Sequence, residues 1–159
     1  MEIETLARAV SHELKRQGLM LVTAESCTGG WVAQMITSVA GSSEWFERGF
    51  VAYTNLAKRE MLGVKTTILS RYDAVSEQTA RAMAEGALTH SHAQVALAIT
   101  GIAGPSGGTP EKPVGTVCFA WAGKKRDTSS IKQVFSGDRE SVRRQAVAAA
   151  LQGVLDFIR

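Results

Sequence analysis

The chain has 159 residues, 45% of them apolar, a formal charge of +3 from scattered lysines and arginines, and only two cysteines. That length predicts a single domain over residues 1–159, burying roughly 68–70% of the surface an unfolded chain exposes. The composition argues against a membrane-spanning helix, which needs a run of ~20 apolar residues. It also argues against a disulfide framework and an obligate nucleic-acid binder, because the positive charge forms no stripe. The start, Met1-Glu2-Ile3-Glu4, is acidic and amphipathic rather than signal-like, so the expected compartment is a reducing cytoplasm.

Ile3, Leu6, Ala7, Val10 and Leu14 recur at helical spacing and Gly18 supplies a stop, predicting a helix over about 3–17. Leu19–Val22 reads as a buried strand, and Trp31, Val32, Met35, Ile36 and Val39 as the inner face of a helix ending near Ala40-Gly41. Phe46–Tyr53 is a second strand, and Asn55 caps a short helix through Lys58 to Leu62, stopped by Gly63. Ser76 caps a helix over Glu77–His90. The near-continuous apolar run Gln94–Thr100 is typical of a central parallel strand. A loop rich in glycine and proline then leads to strands Val114–Ala122 and Thr128–Phe135, joined by a tight turn at Gly123-Lys124. Asp138 caps a final helix whose inner face includes Val142, Ala146, Ala150, Val154 and Ile158.

The order α-β-α-β-α-α-β-β-β-α predicts an α/β fold, a three-layer α/β/α sandwich around a mixed, mostly parallel sheet of about five strands. Right-handed crossovers align the first three strands, so their C-terminal ends share one rim, where open α/β sheets hold ligands. Segments 26–30, 53–58, 100–104 and 136–139 should therefore meet.

The strand-to-helix turn Ser26-Cys27-Thr28-Gly29-Gly30 offers free backbone N–H groups and the positive end of a helix dipole to an anion or oxyanion, beside two nucleophiles. It is neither a Walker loop nor a dinucleotide fingerprint, and by itself a small-residue turn without chemistry is the commoner case. Lys58 serves as a general base only if its pKa falls from ~10.4 to about 7–8, within reach of burial and a nearby cation. An isolated lysine is more often solvated. Arg139 and Arg143 lie four apart at a helix N-terminus, where cations oppose the dipole, which points to a bound anion; pairing with Asp138 or Glu140 is the plainer reading. His90 and His92 lack a third ligand nearby and read as exposed, as does His12, so no metal site is expected. Cys118 reads as core.

Several stretches carry a resemblance: Thr23 to Gly30, Gly41-Ser42-Ser43-Glu44-Trp45-Phe46, Gly49 to Lys58, Thr100-Gly101-Ile102-Ala103-Gly104-Pro105, Lys112 to Val117, and Phe135-Ser136-Gly137-Asp138-Arg139. In this order they resemble the nicotinamide-nucleotide amidase family, which is also the C-terminal domain of the competence/damage-inducible protein CinA. The likeness covers essentially the whole chain and looks like the stand-alone form. It implies hydrolysis of nicotinamide mononucleotide (NMN) to nicotinic acid mononucleotide and ammonia by a metal-free, cofactor-free serine amidohydrolase with a Ser/Lys pair. The expected partner is the nucleotide, with no nucleic acid or membrane, in a chain that can form homo-oligomers.

On that reading Ser26 attacks while Lys58, directly or through Tyr53, takes its proton. N–H groups at Cys27, Thr28 and Gly29, with Gly30 closing the turn, meet the oxyanion. Arg139 and Arg143 hold the phosphate, and Thr100 and the Gly101–Gly104 loop line the nucleotide. Ser43 is an alternative nucleophile. The extended second strand sets it about 20 Å from Tyr53 at ~3.3 Å per residue, unless its segment folds back or reaches across an oligomer contact. Cys27 is a third option without a histidine partner. A non-catalytic nucleotide- or phosphate-binding module is the rival class, and metal-dependent hydrolysis a weaker one.

Overall fold

The computed structural model describes residues 2–159. Helix α1 (Ile3–Gln17) leads through Gly18 into β1 (Leu21–Glu25), α2 (Trp31–Thr37), a single 3-10 turn (Ser42–Glu44) and β2 (Phe46–Val51). Helices α3 (Asn55–Leu62), α4 (Thr66–Tyr72) and α5 (Glu77–Thr89) follow in succession. Strands β3 (Val95–Gly101), β4 (Thr116–Gly123) and β5 (Arg126–Val134) then precede α6 (Arg139–Ile158).

The five strands form one sheet in the order β2-β1-β3-β4-β5. β1 runs parallel to both β2 and β3, while β4 is antiparallel to β3 and β5 antiparallel to β4. The expected mixed sandwich is therefore the observed one, and β1 lies inside the sheet. Alternation along the strands sorts the core into two unlike faces. Leu21, Leu97, Ile99, Phe119 and Trp121 pack against α1 and α6. Val22, Ala24, Ala96, Ala98, Ala120 and Ala122 meet Ala80, Met83, Ala84 and Ala87 of α5. Small residues on that second face let the helices come close: a Cβ on Gly86 of α5 would lie 1.9 Å from the Leu62 carbonyl oxygen at the end of α3.

The differences from expectation are local. β1 starts at Leu21 and continues through Thr23 and Ala24 to Glu25, because pairing on both edges carries it past the apolar run. α2 stops at Thr37, where the hydroxyls of Thr37 and Ser38 turn back onto carbonyls of Ala33 and Met35. The cap of α3 is Thr54 rather than Asn55; its hydroxyl accepts the Ala57 N–H at 3.0 Å. The β4–β5 turn falls at Lys124-Lys125. Helix α4 had no sequence signal, since it has seven residues, no side-chain cap and one buried residue, Leu69. Asp73 ends α4 with φ +68, and its carbonyl accepts from Ser76 Oγ and Thr79 Oγ1, which sets Ala74 and Val75 on the wall of the rim.

Candidate active site

β1 ends at the rim and the chain turns sharply. The Ser26 N–H donates to Ile99 O at 3.0 Å and the Ala52 N–H donates to Glu25 O at 2.9 Å, so the turn is tied to both neighbouring strand ends. Thr54 starts α3 a few residues beyond β2, and one turn into that helix Lys58 points back toward Ser26. Its Nζ lies 3.1 Å from Ser26 Oγ and 3.1 Å from the Tyr53 carbonyl oxygen, which in turn lies 3.3 Å from Ser26 Oγ. Lys58 is 2% exposed and Ser26 7%.

No carboxylate forms an ion pair with Lys58 among the described residues. Burial away from water lowers its pKa from the usual lysine value, with Cys27 acting in the opposite sense. As an ammonium, Nζ donates to both oxygens. As a neutral amine it keeps one N–H on Tyr53 O and offers its lone pair to the Ser26 O–H, the arrangement a general base requires.

A cleft of about 350 Å³ opens over this pair, lined by Tyr53, Ala74, Val75, Thr100, the 101–107 loop and Arg139. A larger depression of about 510 Å³ between β5 and α6 carries one carboxylate, Asp156, which accepts from Gln152, and no cation. It lacks the chemistry of the rim.

The other predicted residues divide. Arg139 starts α6 at the mouth of the cleft and donates to Gly104 O at 2.7 Å and to Tyr53 Oη at 3.0 Å. Tyr53 therefore offers Lys58 its backbone carbonyl, while its ring is exposed and its hydroxyl faces the guanidinium. Arg143 is turned away from the cleft: it donates to Cys27 O at 3.0 Å and Thr28 O at 3.2 Å and lies over the Trp31 ring. Thr100 is buried with its hydroxyl on Ala74 O at 2.8 Å, which joins the two walls of the cleft. Gly101 has no room for a side chain, since a Cβ would lie 2.8 Å from Val117 and 3.1 Å from the Cys27 sulfur.

Burial, with Glu25 adding to it, pushes the Cys27 thiol up to about 12, so the thiolate is absent at neutral pH. Ser43 sits in the exposed turn before β2, at the opposite rim from Lys58. His12, His90 and His92 are exposed, and no three His, Cys, Asp or Glu side chains cluster to hold a metal among the described residues.

The turn itself differs from the sequence reading. The N-terminus of α2 is already occupied by the Glu25 carboxylate, which accepts from Val32 N at 2.9 Å, Ala33 N at 3.1 Å and Thr28 Oγ1 at 2.7 Å. Gly29 donates its N–H to Ser26 O. Glu25 is the participant that sequence reasoning left without a role. Its signal was a carboxylate between an apolar strand and a small-residue turn, where an acid is rarely buried without partners.

The fold and the pair together define a class: a small α/β sandwich with a serine and an unpaired buried lysine in contact at the rim of its parallel strands. The family described as CinA C-terminal domain matches residues 3–158, and the chain belongs to that family. The Escherichia coli K12 protein named nicotinamide-nucleotide amidohydrolase PncC is 54% identical over 95% of this chain and 92% of its own length. A protein of the same name from Enterobacter agglomerans is 51% identical over 99% and 96%. The crystal structure of a competence/damage inducible protein from Agrobacterium tumefaciens superposes with a TM-score of 0.96 at 46% identity, covering 99% of this chain and 96% of that one. Among the described residues no helix is long and apolar enough to cross a membrane.

Proposed function

We propose that this chain hydrolyses the carboxamide of NMN to nicotinic acid mononucleotide and ammonia, with Ser26 as nucleophile and Lys58 as base. The observation that carries this reading is the buried Lys58 amine 3.1 Å from the Ser26 hydroxyl, with a lowered pKa and no carboxylate partner. The names of the relatives supply the substrate class.

In the reaction, Ser26 Oγ bonds to the carboxamide carbon as its proton passes to the Lys58 lone pair, and the carbonyl electrons move onto oxygen. The Cys27 N–H has no backbone acceptor among the described residues and its residue lines the cleft, so this group remains for the oxyanion, whereas Thr28 is fully buried away from it. Such a donor is typically worth about 10²–10³ in rate. Collapse breaks the C–N bond, and Lys58 returns the proton to the departing nitrogen, which leaves as ammonia. Water then gives a proton to neutral Lys58 and attacks the ester. The second collapse frees the carboxylic acid, which loses its proton to solvent, and Ser26 recovers its proton from Lys58.

Arg139 has three further N–H donors beyond its contacts to Gly104 O and Tyr53 Oη, enough for a bidentate hold on phosphate at the mouth. No step requires a metal. The test is ammonia and nicotinic acid mononucleotide released one to one from NMN, unchanged by a chelator and abolished by Ser26→Ala. Tight NMN binding without ammonia release would overturn hydrolysis in favour of a binding module, and loss of turnover on chelation would overturn the metal-free route.

A further inference from the structure

Two charged side chains hold the 26–33 segment, in addition to its backbone hydrogen bonds. On the N–H side, Glu25 is 1% exposed and places one carboxylate oxygen 2.7 Å from Thr28 Oγ1 and 2.9 Å from Val32 N, the other 3.1 Å from Ala33 N. On the C=O side, Arg143 donates to Cys27 O and Thr28 O at 3.0 and 3.2 Å, its guanidinium resting on the Trp31 ring. Gly29 N on Ser26 O closes the turn from within. Glu25 and Arg143 are 118 positions apart in the chain, yet both hold Thr28, one at its hydroxyl and the other at its carbonyl.

The positions of Ser26 Oγ and of the Cys27 N–H, the groups of this turn that face the cleft, follow from this arrangement. The Cys27 N–H shares a peptide unit with Ser26 O, which the Gly29 N–H holds, and Arg143 holds the next carbonyl, Cys27 O. A carboxylate buried at the start of α2 has a second consequence: the helix terminus cannot compete for the phosphate of a substrate, which leaves the anion to Arg139 across the cleft.

Accepting the hydrolase reading above, we infer that Glu25 is a positioning residue for the reaction: by clamping the Ser26–Gly30 turn against the Arg143 guanidinium, it holds the nucleophile and the Cys27 oxyanion donor in register. Glu25 does not touch the substrate. Glutamine is the sharpest probe, because it keeps the volume of Glu25 but turns an N–H₂ toward one of the three donors. Two donors then face each other at 3 Å, and the turn must shift.

The experiment measures NMN turnover, thermal unfolding and cleavage of 4-nitrophenyl acetate for the wild type, Glu25→Gln and Val154→Ala. Val154 is buried in the far half of α6 and supplies a destabilised control away from the rim. The expected result for Glu25→Gln is a fall in kcat of about 10–100-fold with KM changed less than about threefold, in a protein that unfolds cooperatively. The pH midpoint of turnover should stay where it is in the wild type, because the base is untouched. Val154→Ala should lose thermal stability with kcat retained.

Unchanged kcat in folded Glu25→Gln overturns the positioning role, and so does a loss that appears only as lower stability, as in the control. If the wild type leaves NMN intact, the hydrolase reading fails separately. The ester, corrected for a Ser26→Ala background, then reports Ser26 reactivity: an equal rate in wild type and Glu25→Gln overturns the inference, and a ~10-fold slower rate in the variant supports it.

Discussion

Ser26 and Ser43 carry the same side chain, each beside a turn at one end of a strand, and both lie in stretches that resemble the same family. Their surroundings are opposite. Ser26 is 7% exposed, in contact with a buried amine and a carbonyl, at the end of β1 where three parallel strands finish. Ser43 is exposed in a single 3-10 turn ahead of β2, at the other rim. A hydroxyl is a poor nucleophile until a base is placed against it, so neighbours separate these two residues and residue type does not.

The largest expected effect comes from Ser26→Ala: kcat with NMN should fall by at least about 10³-fold, as for other removed nucleophiles, measured as ammonia release. Retained turnover would erase the contrast between the two serines.

Lys58→Met comes next, with kcat lower by about 10²–10⁴-fold and the melting temperature raised at neutral pH. Burial holds the native pKa of Lys58 below 10.5. Between the native and unfolded values the unfolded chain therefore binds more protons, so stability rises with pH through that window, and the burial penalty is fully present below it. The gain from methionine should be largest below the native pKa and vanish above 10.5. In the wild type, kcat/KM should rise with pH to a midpoint below 10.5 as the amine loses its proton. A pH-independent rate would remove the base from the mechanism.

Arg139→Ala should act on binding, raising KM for NMN about 10–100-fold, the scale of a charge-assisted contact worth ~1.5–3 kcal/mol, with kcat changed little. A fall in kcat alone would move Arg139 from anchor to reacting centre. The smallest effect belongs to Ser43→Ala, with kcat and KM within about twofold of the wild type. A loss as large as that of Ser26→Ala would bring the far rim into the site through a neighbouring copy.

Much of the architecture was legible in the chain because its signals are local. Ile3, Leu6, Val10 and Leu14 mark α1 by period, the run 94–100 marks β3, and Asp138 caps α6 through the Ser141 N–H at 2.9 Å. Helix α4 was invisible because a seven-residue helix with one buried side chain carries almost no periodicity. Within the site, the meeting of segments 26–30, 53–58, 100–104 and 139 followed from strand direction alone. The division of labour inside that meeting did not follow. Arg139 and Arg143 look equivalent in sequence, yet one reaches the cleft and the other braces the β1–α2 turn. The free dipole of α2 was a sound expectation that Glu25 cancels by occupying the helix terminus itself.

By itself, then, the sequence determined the elements, their order and the rim on which chemistry-bearing residues gather, since periodicity, capping and strand direction are properties of neighbouring residues. Only the tertiary structure decided that Lys58 is dry and touches Ser26, that Cys27 stays a thiol and that Glu25 seals the helix start. Desolvation and contact depend on what distant parts of the chain pack above a group, and no local pattern encodes that.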